Sequence, residues 1–177
     1  MRIRKEVVGI IDTNCYFLYN DEEMIVVDPG GDAGRIIETI KEIEVPLIGI
    51  INTHSHYDHT TANVKVAKAM NVEVLNLKNK KELKVGEDKL EVISSPGHTK
   101  DSICLLGDGF LIAGDVLFED GRGRTDLPGG SIEEMRDTIE MLKEKIPPET
   151  VIYPGHGNSF LAKNHYLLSG KKSIKNI

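Results

Sequence analysis

The first part of the chain alternates short apolar runs with clusters of glycine, proline and acidic residues. Apolar segments of this length, bounded by turn residues, are typical of β-strands. Between the last two of these segments, residues 32–44 place apolar side chains at helical spacing, and Pro46 ends the predicted helix. We therefore expect a sheet with a helix against one face. The predicted strands are residues 3–11, 13–19, 24–28 and 47–51.

The rest of the chain repeats this combination of strands and helices. Helices are predicted at residues 60–70, where Thr60 or Thr61 can form the cap, and at residues 131–145, where Ser131 can do so. Two groups of strands with helices outside them predict an α/β fold, arranged as an αββα four-layer sandwich. The further predicted strands are residues 72–77, 82–85, 90–94, 102–106, 110–113 and 150–153.

A cluster of histidines follows the predicted strand at residues 47–51. The loop contains His54, His56, Asp58 and His59, and it lies at the carboxyl end of a strand, where open α/β sheets build their sites. In an extended segment, residues two apart point in the same direction. His54 and His56 can therefore bind one cation, while Asp58 and His59 turn toward a second.

Three isolated residues extend this candidate metal site. His98, Asp115 and His156 each stand beside a glycine and next to the end of a predicted strand. A single histidine is more often a solvated or hydrogen-bonded residue than a ligand. Five of the six histidines of the chain nevertheless fall in these clustered or glycine-flanked turns, and this distribution predicts a metal centre.

The order of these residues resembles that of the metallo-β-lactamase superfamily. The resemblance covers nearly the whole chain and implies the αββα fold, with two zinc ions that iron or manganese can replace. In dinuclear members of that family Asp115 would bridge the two metals, which argues against lactam hydrolysis because several true β-lactamases carry cysteine there. The implied ligands are His54, His56 and His98 for the first metal, and Asp58, His59 and His156 for the second.

A second motif narrows the resemblance to one branch. Gly-Asp-Val-Leu-Phe at residues 114–118 and Gly-Arg-Thr-Asp at residues 123–126 resemble glyoxalase II and the persulfide dioxygenases. The resemblance implies a hydrolase of hydroxyacyl-glutathione thioesters. The chain ends soon after His156, without the helical C-terminal domain that binds glutathione in longer glyoxalase II enzymes. We therefore expect a single domain over residues 1–177 and a weak preference for glutathione.

The chemistry expected of such a site is hydrolysis. Two cations can hold a bridging hydroxide at neutral pH, because coordination lowers the pKa of water to ~7. A thiolate leaves readily, since the pKa of a thiol is ~8.5, and no strong general acid is required. Asp58 is the candidate catalytic residue, because it can bind metal and also orient the hydroxide or take its proton.

Three alternatives to thioester hydrolysis remain open. The first is a mononuclear iron persulfide dioxygenase that uses His54, His98 and Asp115 as a two-histidine, one-carboxylate face. The second is a hydrolase of another ester or of a lactone. The third is a metal-stabilised scaffold without turnover, which is disfavoured because structural zinc sites close their shell with four ligands.

Composition limits the partners of the protein. A net charge of −6 disfavours nucleic acid, whose binding depends on the neutralisation of phosphates. The N-terminus lacks an apolar signal region, and no apolar run approaches the length of a membrane span. We expect a cytoplasmic enzyme that acts on a small-molecule thioester. Cys15 and Cys104 stand singly in apolar surroundings and are expected to be buried free thiols.

Four residues near the predicted ligands carry structural interpretations. Arg124 and Asp126 are expected to form an internal ion pair that holds the loop after Asp115. Tyr57, beside the histidine cluster, either lines a pocket or packs in the core. His165 is expected to be a histidine on a helix surface.

Overall fold

The computed structural model describes residues 1–170. The chain divides into two compact units, Met1–Val92 and Ile93–Ile177. Each unit has its own cluster of buried apolar residues. That the whole chain forms one domain stays a prediction.

A four-stranded sheet forms the centre of the first unit. Its strands are β1 (Arg2–Val8), β2 (Thr13–Tyr19), β3 (Met24–Val27) and β4 (Leu47–Ile51), in the order β1-β2-β3-β4. The first three strands pair antiparallel, whereas β3 and β4 are parallel. Strand β3 is buried throughout, which agrees with its continuous apolar sequence.

Three helices accompany this sheet: α1 (Ala33–Ile43), α2 (Tyr57–Thr60) and α3 (Asn63–Met70). Ile36 and Ile40 of α1 and Val66 of α3 belong to the same buried cluster as residues of β2, β3 and β4. The apolar spacing that predicted α1 therefore reflects the face of the helix that packs in this core.

The prediction of one helix at residues 60–70 was wrong. The segment divides into α2 and α3, and Ala62 stands at the N-cap of α3 without a side-chain cap. Thr60 and Thr61 are not caps, because their hydroxyls donate to carbonyls of the preceding turn. The Thr61 hydroxyl lies 2.6 Å from the Tyr57 carbonyl oxygen, and hydroxyls often bond locally in this way.

Two strand predictions in the first unit were too long. Strand β1 ends at Val8, and the following turn leaves Ile10 and Ile11 exposed. The segment 72–77 forms only an isolated bridge between Val74 and Ile50. The strands predicted at residues 82–85 and 90–94 are confirmed as β5 (Glu82–Val85) and β6 (Asp88–Ser94), which pair antiparallel as a hairpin.

The second unit contains a sheet and a separate hairpin. Strands β7 (Ile103–Gly107) and β8 (Phe110–Gly114) pair antiparallel, and β8 pairs parallel with β11 (Val151–Pro154). The order is β12-β11-β8-β7, where β12 is Phe160–Leu161, and the end of β6 lies beside β7. The separate hairpin, called the β9–β10 hairpin below, is formed by β9 (Leu117–Phe118) and β10 (Gly121–Arg122).

Helix α4 (Ile132–Lys145) packs on this sheet. Ser131 is its cap, as predicted, and accepts a hydrogen bond from the Glu134 amide at 3.2 Å. Acidic residues in the first turn and lysines in the last turn suit the helix dipole. A 3₁₀ turn (Ala162–Asn164) and the short helix α5 (Tyr166–Ser169) follow.

The predicted mixed α/β class is confirmed, since both units combine strands with helices. Within residues 1–170, no helix is long and apolar enough to cross a bilayer. That the protein is cytoplasmic stays a prediction.

Candidate metal centre

The first unit concentrates four candidate ligands in the loop after β4 and in helix α2. His54 lies in the loop, His56 immediately precedes α2, and Asp58 and His59 belong to its single turn. His54 and His59 are buried, whereas His56 and Asp58 are half-buried. Short distances join the members of each predicted pair, and the division between two metals stays a prediction.

His54 and His56 form the first pair. His54 Nε2 lies 3.0 Å from His56 Nδ1. His54 Nδ1 is 3.1 Å from the Thr53 hydroxyl, which donates its proton to Asp28 at 2.6 Å. Because that proton is already committed, Thr53 accepts from His54 Nδ1–H, and the neutral ring keeps its lone pair on Nε2. This nitrogen is therefore the one that His54 could offer to a metal.

Asp58 and His59 form the second pair. His59 Nδ1 lies 3.0 Å from an Asp28 oxygen, and His59 Nε2 lies 3.2 Å from Asp58 Oδ2. In the neutral ring Nδ1–H donates to Asp28, so Nε2 presents a lone pair on the side of the Asp58 carboxylate. The Thr13 hydroxyl holds the same Asp58 oxygen at 3.3 Å. Two electron-rich atoms at this distance suit a shared cation.

Asp28 is a residue of the candidate site that the sequence analysis missed. It follows β3, is buried, and has a left-handed backbone with φ 53°. Its carboxylate accepts from the Thr53 amide at 2.7 Å, from the Thr53 hydroxyl and from His59 Nδ1. One buried carboxylate thereby orients His59 directly and His54 through Thr53. A signal was present in the sequence, because Asp28 directly follows a wholly apolar strand.

The loop after Asp28 approaches helix α2 closely. A Cβ atom at Gly30 would lie 1.7 Å from the Asp58 main-chain oxygen. Only glycine permits this approach, so the Pro-Gly-Gly turn that follows Asp28 also fixes the backbone of Asp58.

The second unit brings its three candidate ligands together around one carboxylate oxygen. Asp115 follows β8, His156 follows β11, and His98 lies in the loop after β6. Asp115 Oδ2 is 3.5 Å from His98 Nε2 and 3.7 Å from His156 Nε2. The side chains of His98 and Asp115 are only 5% and 11% exposed. Buried carboxylates of this kind are normally paired or coordinate metals.

Main-chain contacts fix the orientation of His98. Its Nδ1 lies 2.8 Å from the Arg124 carbonyl oxygen. A carbonyl can only accept, so Nδ1 carries the proton and Nε2 keeps the lone pair that faces Asp115. Gly123 precedes this carbonyl, and a Cβ atom there would lie 1.8 Å from the Asp115 main-chain oxygen. The segment therefore packs tightly against both candidate ligands.

The predicted ion pair between Arg124 and Asp126 is confirmed, but it is not internal. Two hydrogen bonds of 2.8 Å join the side chains, which are 60% and 68% exposed. The guanidinium lowers the pKa of the Asp126 carboxyl to about 2. The pair is on the surface, and it is the main chain of Arg124 that contacts His98.

Two neighbouring interpretations also change. Tyr57 is 78% exposed, so the suggestion that it packs in the core was wrong. The expectation that His165 is a surface histidine was also wrong, because its ring is buried beside Phe160 and Tyr166. The ring stacks on these two aromatic side chains instead of facing solvent. Burial also lowers the pKa of His165.

The cysteine predictions are confirmed. Cys15 and Cys104 are buried and carry free thiols. Burial raises the pKa of both thiols, that of Cys104 to about 12, so neither is a reactive thiolate at neutral pH.

The donors fit a divalent transition metal. Imidazole nitrogens suit zinc and iron, and carboxylates supply the oxygen ligands and negative charge that such ions take. Three of the histidines also have Nδ1 committed to a hydrogen bond, which is the arrangement found around metal-ligating imidazoles. The structure therefore provides preformed ligand groups within each unit.

Comparison with known families shows the family of the chain. The model of the metallo-beta-lactamase superfamily matches residues 8–87 and 71–156. The chain belongs to the metallo-β-lactamase superfamily. Among relatives in this superfamily, the probable metallo-hydrolase YqgX of Bacillus subtilis is 31% identical, over 89% of this chain and 90% of YqgX. Hydroxyacylglutathione hydrolase GloC of Haemophilus influenzae is 27% identical, over 85% and 88%.

Solved structures confirm the fold of the superfamily. The BLEG-1 B3 metallo-beta-lactamase superposes with a TM-score of 0.86 at 27% identity, over 93% of this chain and 96% of that structure. TTHA1623, solved in a di-iron-bound form, gives a TM-score of 0.83 at 21% identity, over 97% and 98%. The predicted fold class is thereby confirmed as that of the metallo-β-lactamases.

Proposed function

We propose that this protein is a metal-dependent hydrolase that binds two divalent ions, zinc by preference, and cleaves thioesters of small hydroxy acids. One ion would bind His54, His56 and His98, the other would bind Asp58, His59 and His156, and Asp115 would contact both. The observation that carries the proposal is the set of hydrogen bonds that fix the imidazoles of His54, His59 and His98 with Nε2 available to a metal.

Distances within each group of donors support this division. His54 and His56 approach through two nitrogens, whereas Asp58 and His59 offer an oxygen and a nitrogen. Each of these two pairs needs one further nitrogen ligand to surround a metal ion with three residues. Asp115 Oδ2 lies near two such nitrogens, those of His98 and His156, which suits a bridging carboxylate.

The chain's own residues supply positioning and proton transfer. Bound divalent ions would polarise the thioester carbonyl and lower the pKa of the attacking water to about 7. The Thr13 hydroxyl holds Asp58 by Oδ2, and the side chain remains 25% exposed. The Asp58 carboxylate can therefore orient that water and accept its proton.

Two considerations support a thioester as the substrate. The leaving thiolate needs no proton donor, since the pKa of a thiol is about 8.5, and we assign no general acid. The Gly-Arg-Thr-Asp motif and the likeness to hydroxyacylglutathione hydrolase GloC both favour this class. The likeness to the BLEG-1 B3 metallo-beta-lactamase makes a β-lactam the necessary comparison substrate.

A substrate panel on one zinc-loaded preparation tests the proposal. S-lactoylglutathione and the lactoyl thioester of N-acetylcysteamine share an acyl group and differ in the thiol. We expect thiol release from both, at comparable rates, and no hydrolysis of a β-lactam. A persulfide with oxygen and added iron is the last member of the panel. Oxygen uptake in that reaction, without thiol release from either thioester, would establish the dioxygenase instead.

Hydrolysis of a lactone or another oxygen ester, without hydrolysis of the thioesters, would refute only the substrate class. The variant Asp58→Asn is the control within the panel. It keeps the size of the side chain but loses the carboxylate, and we expect it to lose activity on every substrate that the wild-type protein cleaves.

A further inference from the structure

His165 stands apart from the candidate ligands, yet it is fully enclosed. It lies between the 3₁₀ turn and α5 and is 1% exposed. Its ring is nearly parallel to those of Phe160 and Tyr166, at centroid distances of 5.2 Å in both cases. Packing on two aromatic rings fixes the plane of the imidazole.

The ring makes a directional contact with the β9–β10 hairpin. His165 Nε2 lies 3.0 Å from the carbonyl oxygen of Gly121, in the β9–β10 hairpin. Because a carbonyl can only accept, Nε2 carries the proton and donates it. Burial lowers the pKa of His165, although main-chain hydrogen bonds with Gly121 and Phe118 and the charge of Asp120 act in the opposite direction. The ring is therefore neutral at neutral pH, with its proton on Nε2.

The β9–β10 hairpin connects this bond to two candidate ligands. It begins two residues after Asp115 and ends directly before Gly123. The Gly123 amide donates to the Val116 carbonyl at 3.2 Å, and Gly123 packs on the main chain of Asp115. The next carbonyl, that of Arg124, accepts from His98 Nδ1. A shift of the hairpin would therefore move the backbone of Asp115 and the acceptor of His98.

We propose that His165 is a positioning residue whose hydrogen bond to Gly121 holds the β9–β10 hairpin, and through it His98 and Asp115, in the arrangement that binds metal. The inference rests on the proposed function, because it takes His98 and Asp115 as ligands. It adds a residue that affects metal affinity without being a ligand. Outer hydrogen bonds of this kind commonly change metal affinity by about 10- to 100-fold.

Two substitutions separate the hydrogen bond from the packing. His165→Phe keeps an aromatic ring but has no donor, whereas His165→Gln loses the ring but keeps an N–H donor of similar reach. Lys163→Gln, two residues before position 165, is the matched control, because it breaks only the exposed ion pair between Lys163 and Glu149. Thermal unfolding of each variant shows that it is folded before the measurements are made.

Two readouts test the positioning role. Zinc affinity is measured by competition with a chelator, and exchange of the Gly123 amide is measured by NMR on the metal-free protein. For His165→Phe we expect zinc affinity to fall by about tenfold and the Gly123 amide to exchange faster. His165→Gln should restore most of the affinity, and Lys163→Gln should match the wild-type protein in both measurements.

Each other outcome is decisive. Wild-type affinity and exchange in His165→Phe would refute the positioning role, and equal losses in His165→Phe and His165→Gln would show that only ring packing matters. If the wild-type protein binds no zinc, the proposed function fails. Exchange of the Gly123 amide in the metal-free variants still measures whether His165 holds the hairpin, so the two failures are distinguishable.

Discussion

Asp28 shows how much of a metal centre depends on a residue that would not bind the metal. Its carboxylate receives three donors from Thr53 and His59 and thereby determines which nitrogen of two histidines is available. Asp28→Asn replaces one oxygen by an amide nitrogen, which cannot accept, and leaves a buried donor unpaired. We expect zinc affinity to fall by about 10- to 100-fold and unfolding stability by about 1–3 kcal/mol.

Chelator competition and thermal unfolding measure these two effects. Asp126→Asn is the matched control, because it makes the same chemical change in an exposed ion pair. It should leave affinity and stability unchanged. Wild-type zinc affinity in Asp28→Asn would show that Asp28 does not orient the ligands.

Asp115 should matter more than any single histidine. Its Oδ2 lies near both His98 and His156, so the proposed arrangement makes it a ligand of both ions. Asp115→Ala should lose both metals and activity, whereas His156→Ala should lose mainly one metal. Metal analysis of the two purified variants, with activity measured on the same samples, checks this. Retention of both ions and of most activity in Asp115→Ala would contradict the bridging assignment.

At the scale of elements, close backbone packing in the loop after β10 should be measurable with glycine substitutions. Gly123→Ala places a methyl group against the Asp115 main chain, so we expect lower stability and weaker zinc binding. Gly34 lies in α1 with open space around its Cβ position, and Gly34→Ala should stabilise the protein by about 0.5–1 kcal/mol. Denaturant unfolding of both variants tests the contrast. Equal effects would show that the loop is not tightly packed.

The histidine loop and most strands could be predicted because their signals are local. Spacing within a single loop identified His54 to His59, and apolar runs identified β2, β3 and β4. The position of Asp28 after an apolar strand was a local signal, but its role could not be identified in this way, since its partners lie 25 and 31 residues further along the chain. The break between α2 and α3 depends on Thr60 and Thr61 bonding back to carbonyls rather than forward to amides.

His165 was assigned to a helix surface because a lone polar residue is usually exposed. Its burial depends on aromatic residues on either side in sequence and on the carbonyl of Gly121, which lies 44 residues earlier. The seven proposed ligands were predicted from family resemblance as well as from spacing. That they bind two ions stays a prediction.

At the scale of the whole molecule, the pH dependence of stability should report the neutral state of His165. The pKa of His165 is lower in the folded protein than its unfolded value of about 6.5. As the pH falls below that value, His165 binds a proton in the unfolded chain before it does so in the folded protein. The free energy of unfolding therefore decreases as the pH falls from the unfolded pKa toward the folded pKa. In metal-free protein, His165→Phe should therefore lose less stability than wild type between about pH 7 and about pH 5.

The midpoint of thermal unfolding at several pH values measures this difference. All other residues are the same in the two proteins, so the comparison isolates the contribution of His165. Parallel pH profiles for the wild-type protein and His165→Phe would contradict a lowered pKa at His165.

The most direct test of the account is a zinc titration of metal-free protein, with thiol release from S-lactoylglutathione followed at each addition. We predict no release without metal, and a rate that rises to a plateau at two zinc ions per chain. The same titration of Asp115→Ala should give no plateau. Thiol release that is independent of added zinc, or a fully loaded protein that releases no thiol, would contradict the proposal of a metal-dependent thioester hydrolase.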